Sequence, residues 1–362
     1  MRIPRLPLLT FSLVLGLFAW TTHPALAAEI TCGSVLGPGG TFVLNRDLTC
    51  PFTPDPEDLS AGDPVLTVIA GATLDLNGHT VRCSGRGPGM HVYRATVLNG
   101  TVIGCREGVY VGGSGSVVQG MTVKRNGSGI YLQGAEDNLI VGNIAIRNGE
   151  GFGLEDGSNR NTLRDNTAKK NSGSGFYADA GTDNVFIDNT SVDNGKGFTV
   201  VGDAASRLVR NIASRNQGVG FWFELPKQMK LIANVAEDNQ SHGFSLENLG
   251  YVAARVVLRD NVAQRNGGDG FVLGPAFDAP GDPSENRLTN NYAIGNKGHG
   301  IHIIVRPTNP GQLLFLHATI SGNTALGHTA PHLDLADDHA NCQEGTVWQD
   351  NSFLTASQSC IQ

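Results

Sequence analysis

GNIAIRNGEGFGL (142–154) returns along the chain as DNTAKKNSGSGFYA (165–178), DNTSVDNGKGFTV (188–200), RNIASRNQGVGFWF (210–223), ANVAEDNQSHGFSL (233–246) and DNVAQRNGGDGFVL (260–273). The leading asparagines are Asn143, Asn166, Asn189, Asn211, Asn234 and Asn261, and the first four steps are 23, 23, 22 and 23 residues. A second asparagine follows in each unit, at Asn148, Asn171, Asn194, Asn216, Asn239 and Asn266. A Gly-Phe pair comes next, at Phe152, Phe176, Phe198, Phe221, Phe244 and Phe271. Self-similarity at a fixed period marks a repeat architecture whose units bury their apolar faces only against their neighbours.

Each unit carries three short alternating segments separated by turn formers, such as Ile212-Ala213-Ser214, Phe221-Trp222-Phe223 and Lys230-Leu231-Ile232. Period-two alternation argues strand, and no window shows the i, i+3, i+4 spacing of an amphipathic helix. Gly and Asn between the segments tolerate positive φ and tight corners. The expected fold is all-β: a single-stranded parallel β-helix with three short strands per coil. Stacked coils pair strands at about 4.8 Å, so every repeat position becomes a ladder along the axis. Phe and Leu point inward, and the asparagines pass amide hydrogen bonds from coil to coil; sugar contact is the alternative role for them. Corner anchors run Gly78, Gly100, Gly120, the six asparagines, Asn291 and Asn323. They predict about eleven coils and a rod of about 50 Å.

On these repeats the chain resembles the right-handed parallel β-helix proteins of the pectate-lyase-like superfamily, and most of all the NosD-like secreted repeat proteins. The resemblance implies a right-handed coil over nearly the whole chain and leaves activity open, because lyases, hydrolases, epimerases, adhesins and accessory proteins share this architecture. Gly298-His299-Gly300 is similar to the GHG element of polygalacturonases, but the aspartate pairs that accompany it there are missing. The DPHD element of mannuronan epimerases is missing as well.

Residues 1–27 read as a signal peptide: Arg2 and Arg5, an apolar run from Leu8 to Trp20, then Ala25-Leu26-Ala27. No segment has the roughly 18 apolar residues of a membrane span. The expected product is secreted or periplasmic and begins near Ala28, with residues 28–75 as N-terminal cap and first coil, 76–336 as β-helix and 337–362 as C-terminal cap. Without Arg2 and Arg5 the chain keeps 24 basic against 33 acidic residues. That balance speaks against nucleic acid, and against a polyanionic glycan unless local basic residues assist. The six cysteines form local pairs, Cys32/Cys50, Cys83/Cys105 and Cys342/Cys360. Cys83 and Cys105 are one period apart, as are Asn77 and Asn99, so stacking brings them within disulfide reach. The outer pairs close the two ends.

The step lengthens after Asn234 through Asn248–Ala254, Gly274–Glu285 and Val305–Gly311, insertions that follow the Gly-Phe strand or its equivalent; Pro51–Pro64 is a further loop. Such loops build a binding wall or simply drift. Outward positions on the Gly-Phe strands read Tyr110, Tyr131, Gly153, Tyr177, Thr199, Trp222, Ser245, Val272 and His302 in one column. The next column is Gln133, Glu155, Asp179, Val201, Glu224, Glu247, Gly274 and Ile304. Aromatic rings offer flat surface to sugars, and carboxylates accept hydroxyl hydrogen bonds or move protons. The bland alternative is cross-strand stacking with solvated acids.

This stripe gives the candidate site. Asp179, Glu224 and Glu247 are the catalytic candidates; Tyr110, Tyr131, Glu155, Tyr177, Trp222 and His302 are the substrate-binding ones. Glu224 and Glu247 fall on neighbouring coils, and Asp179 lies two coils from Glu224, spacings that suit either geometry of glycoside hydrolysis. Close carboxylates would also attract Ca²⁺, though no cofactor is required. A lyase would draw on Lys227, Arg306 or His302. His299, His302, His328 and His332 crowd the last coils, with His302 and His332 expected at one ladder position and Asp334 beside them; they suggest Cu or Zn. Three functions follow: a polysaccharide-binding protein, as lyase or hydrolase; a non-catalytic scaffold or adhesion module; or, as the NosD-like resemblance implies, a periplasmic copper-handling accessory. A monomer is expected.

Overall fold

The computed structural model describes residues 29–51, 63–84, 87–247, 255–274, 286–304, 318–328, 331–338 and 346–362. Residues 1–28, most of each insert, Arg306 and Cys342 therefore lie outside the described residues. Within them the chain winds as a parallel β-solenoid with no helix, and nothing helical is long and apolar enough to cross a membrane. Every third strand in chain order joins the same sheet, giving three sheets of 13, 13 and 12 strands with parallel pairing throughout. The 38 strands make twelve complete coils and two strands of a thirteenth, where the anchor residues predicted about eleven. The extra windings are at the ends: Ser34–Leu36 begins one coil before the first anchor, and Thr346–Gln349 leads into Asn351, a further ladder asparagine that accepts from Asn323. Met121, not Gly120, holds the anchor position of its coil; Gly120 is the positive-φ residue just before it.

The first sheet carries the Gly-Phe strands, and its six phenylalanines form a continuous inner stack. From Phe152 to Phe271 successive ring centroids lie 4.6–4.8 Å apart and within 7° of parallel. The stack follows from the period alone: residues one coil apart must rise by one strand spacing, about 4.8 Å.

The corners are held by asparagine ladders. Most buried ladder amides accept two hydrogen bonds from the coil before them and donate two; Asn194 breaks the pattern by giving one of its donors to Ser191 Oγ. Asn211 is typical: its Oδ1 accepts the N–H and side-chain amide of Asn189, and its own amide donates to Asn234 and to the Phe186 carbonyl. The second ladder runs from Asn126 to Asn296 and ends on His328, whose Nε2 faces the Asn296 amide and whose Nδ1 faces Asp334 at 2.8 Å. A third ladder, Asn138, Asn161 and Asn184, was not picked out from the sequence although its 23-residue spacing was there to see. The residue before each ladder asparagine is left-handed, for example Asp188 at φ 54° and Arg210 at φ 53°. Cys32–Cys50 and Cys83–Cys105 are bonded with Cα separations of 5.7 and 5.0 Å, and Cys360 is also in a disulfide.

Candidate functional site

The outward columns exist in the predicted axial order. Tyr110, Tyr131, Gly153, Tyr177, Thr199, Trp222, Ser245, Val272 and His302 are successive cross-strand partners on the first sheet. Their exposure is uneven. The aromatic members and His302 are half-buried, whereas Thr199, Ser245 and Val272 are buried. In the second column Gln133 pairs with Glu155, and Asp179, Val201, Glu224 and Glu247 follow in register.

Tyr177 stands at the centre of this face. Its neighbours in the column are Gly153 and Thr199, so no other aromatic ring packs on either side of it along the axis. Burial pushes its phenol up first, and the charges of Asp179, Glu155, Glu150 and Glu224 add to that shift. Four carboxylates therefore act electrostatically on this one ring. On the N-terminal side the tyrosines are tied down: Tyr110 donates to Gln133 at 3.0 Å and Tyr131 to Glu155 at 2.8 Å. On the C-terminal side the Lys196 ammonium sits 3.7 Å from the Trp222 ring centroid and covers one face of that ring.

Glu150 escaped the sequence reasoning, which took outward positions only after the Gly-Phe pair. The strand Glu150–Glu155 in fact begins two residues before Phe152. Its first side chain comes onto the same face, where a Cβ placed on Gly153 would stand 3.7 Å from Glu150 Oε2. Recognising that the strand extends back through the glycine would have found it. Burial, and then the charge of Glu155, push Glu150 up to about 7. A carboxyl raised on folding opposes stability as pH climbs from its unfolded value, 4.5, through 7, because the folded state holds the proton longer. Glu150→Gln is therefore expected to raise the thermal midpoint at pH 8, by ~1–2 kcal/mol of stability after solvent screening, and to leave it unchanged at pH 4. Melting curves at the two pH values check this; equal shifts at both would contradict the assignment.

The histidines do not meet as expected. Leu335, not Leu333, is the inward residue of the last first-sheet strand, so His302 faces Ala336, and His332 lies off the column. Asp334 is buried rather than outward and accepts the Leu354 and Thr355 N–H groups as well as bonding His328. His332 packs instead on His299, with ring centroids 5.0 Å apart. His302 is bracketed by Asp269 on Nδ1 at 3.0 Å and Asp338 on Nε2 at 3.2 Å. Burial alone would lower its pKa, but the two carboxylates outweigh that and raise it. His299 Nδ1 is taken by the Leu333 N–H, and His242 Nδ1 by the Asp269 N–H. Of the lyase candidates, Lys227 is exposed in the turn after Phe221–Glu224.

Two family models match. Residues 86–211 match the family described as periplasmic copper-binding protein (NosD), and residues 180–325 match the right-handed β-helix region. The chain is a right-handed parallel β-helix protein, similar to the NosD family over residues 86–211. No curated protein matches it. Among solved structures, the A-module of Azotobacter vinelandii mannuronan C-5 epimerase AlgE4 aligns with this β-helix at TM-score 0.65 and 17% identity, covering 90% of this chain and 88% of that one. The periplasmic alginate epimerase AlgG aligns at 0.55 and 12%, covering 86% and 84%. The catalytic unit of the GH87 α-1,3-glucanase from Streptomyces thermodiastaticus strain HF3-3 aligns at 0.54 and 16%, covering 88% and 65%. At these identities the likeness is one of fold.

The copper in the NosD description can be tested against the residues present. The matched segment offers one histidine, His91, whose pKa burial lowers and which packs edge-on against Tyr110. Its methionines, Met90 and Met121, are buried in the core, and Cys105 is in a disulfide. Elsewhere His302, His299 and His242 have committed nitrogens, and no group of three or more His, Cys, Asp or Glu among the described residues could hold a metal ion. These residues do not fit a copper centre. The match to the NosD family is carried by the repeat.

Proposed function

We propose that this chain is an exported β-helix protein that binds an extended neutral or amino-substituted glycan along the outward face of its first sheet, centred on Tyr177, and hydrolyses it. The observation that carries this is one half-buried aromatic ring, flanked along its column by Gly153 and Thr199, that feels the charges of Glu150, Glu155, Asp179 and Glu224. The ring suits the apolar face of a sugar, and carboxylates accept its hydroxyls. The same charges repel polyuronates, so the substrate differs from that of the alginate epimerases whose fold it shares. Export is supported by the N-terminal leader, the disulfides and the word periplasmic in the descriptions of the NosD family and AlgG.

Hydrolysis is the chemistry these acids suit. Glu150 holds its proton near neutral pH and would pass it to the glycosidic oxygen, while Asp179 or Glu224 takes a proton from the attacking water. Glu247 is the register partner of Glu224 on the next coil. On a glycan array the mature protein is expected to bind, with Tyr177→Ala weakening affinity about tenfold. Reducing-end release should vanish in Glu150→Gln and Glu224→Gln while binding persists. Failure to bind any glycan would sink the proposal.

A second function, a non-catalytic scaffold, is favoured by one specific observation: the hydroxyls of Tyr110 and Tyr131 and one face of Trp222 already have partners within the protein. Binding without release by the wild-type protein would select it.

A further inference from the structure

We propose a second, separate binding site: the corner that joins the third sheet to the first holds a linear acidic polysaccharide through Arg125, Arg147 and Lys170. These residues occupy one left-handed corner position on three successive coils, at φ 55°, 57° and 55°, and all three are exposed. Each precedes a buried ladder residue, Asn126, Asn148 or Asn171, whose amide hydrogen bonds lock the corners in axial register. The three cations are therefore fixed one coil apart.

Farther along the same corner the sign of charge alternates: Asp193, Arg215, Asp238, Arg265. There the neighbours bond, Arg215 to Asp193 at 3.1 Å and Arg265 to Asp238 at 2.9 Å. Side chains at this position thus reach the adjacent coil. Arg125, Arg147 and Lys170 have no such partner, and none is in an ion pair among the described residues. Lys124 and Lys169, on the strands that enter the corner, add two more cations. Five positive charges on three coils stand out in a chain of formal net charge −7. Like charges about 5 Å apart repel by roughly 1 kcal/mol per neighbouring pair even in water-like surroundings, a cost the rest of the corner avoids by alternation.

An external anion supplies the missing counter-charge. The coil spacing of about 4.8 Å is close to the length of one sugar in an extended chain. A polymer with one carboxylate per sugar therefore offers each cation its own partner, and arginine takes a carboxylate in a two-pronged bond. The site is distinct in place and in sign from the acidic face around Tyr177, and it does not depend on what that face binds. Its role is to hold the protein on an anionic polymer while the other face works.

The test uses polygalacturonate and polyphosphate as probes at low and at physiological salt, with the mature wild-type protein. Arg147→Asp restores alternation of sign along the corner, with a negative charge now standing between Arg125 and Lys170, so its melting temperature is expected to be equal or higher. Its polygalacturonate affinity is expected to fall about tenfold or more, with a shallower salt dependence. Lys297→Asp, a cation-to-anion change in a turn beyond Asn296, should leave binding almost unchanged. Three results would overturn the proposal: no polygalacturonate binding by the wild type at low salt, equal losses in the two variants, or binding of polyphosphate alone.

Discussion

Asn211→Ala is expected to cost the central coils roughly 3–5 kcal/mol, far more than any exposed change nearby. The side chain is fully buried, and its four hydrogen bonds are all made within the rod. Truncation leaves the Asn189 N–H without an acceptor and the Phe186 carbonyl without the amide that reaches it. A buried polar group stripped of its partner costs about 1–3 kcal/mol, and a cavity of the size of the lost amide adds to that. The contrast is the neighbouring residue. Arg210 makes a two-pronged ion pair with Asp188, at 2.8 and 2.7 Å, but in solvent. Arg210→Ala should cost about 1 kcal/mol or less. Because solenoids can lose their coils separately, hydrogen exchange at the amides of residues 185–235 is the proper readout beside urea titration. A loss for Asn211→Ala no larger than that for Arg210→Ala would mean that the ladders do not hold the corners.

Gly197→Ala should be worse still, at least ~4 kcal/mol or a chain that does not accumulate as soluble protein. The reason is space rather than dihedral angle. A Cβ at Gly197 would run into the Gly220 carbonyl oxygen and stand 2.8 Å from the Ala213 Cβ. That carbonyl is fixed, because it accepts the Phe198 N–H at 2.8 Å. Backbone of the next coil cannot retreat without breaking the pairing it belongs to. The same collision awaits a Cβ at Gly151, Gly220, Gly243 or Gly270, so the Gly of each Gly-Phe pair is required by the stacking. Gly202 makes the control: it has φ +61° and nothing nearer to its Cβ than 3.9 Å, so Gly202→Ala should cost only about 1 kcal/mol. Equal effects at the two glycines would refute the distinction.

Several features of the site were legible because the period specifies height along the axis. Tyr131, Gly153 and Tyr177 could be placed in one column, and Glu224 opposite Glu247, from spacing alone. The openness around Tyr177 was implicit in Gly153 and Thr199. What spacing could not show was that Lys196 comes to rest on Trp222, or that Glu150 turns onto the Tyr177 face. Both lie before their glycine, and the direction of those side chains depends on how far the strand continues into the corner. The last coil failed for a related reason: without a Gly-Phe pair, nothing in residues 331–338 distinguishes Leu333 from Leu335 as the inward residue. His332 lies four residues before Ala336, the residue that actually pairs with His302.

The sequence by itself determined the all-β coil, the two long asparagine ladders, the phenylalanine stack and the Cys83–Cys105 bond, because a parallel stack allows a residue only one place, directly above its equivalent one coil earlier. The tertiary structure decided which side chains share a face, which outward positions are buried, and where the unbalanced charges collect. Those depend on how the chain turns within a coil and on contacts between columns, which a period along the axis does not encode.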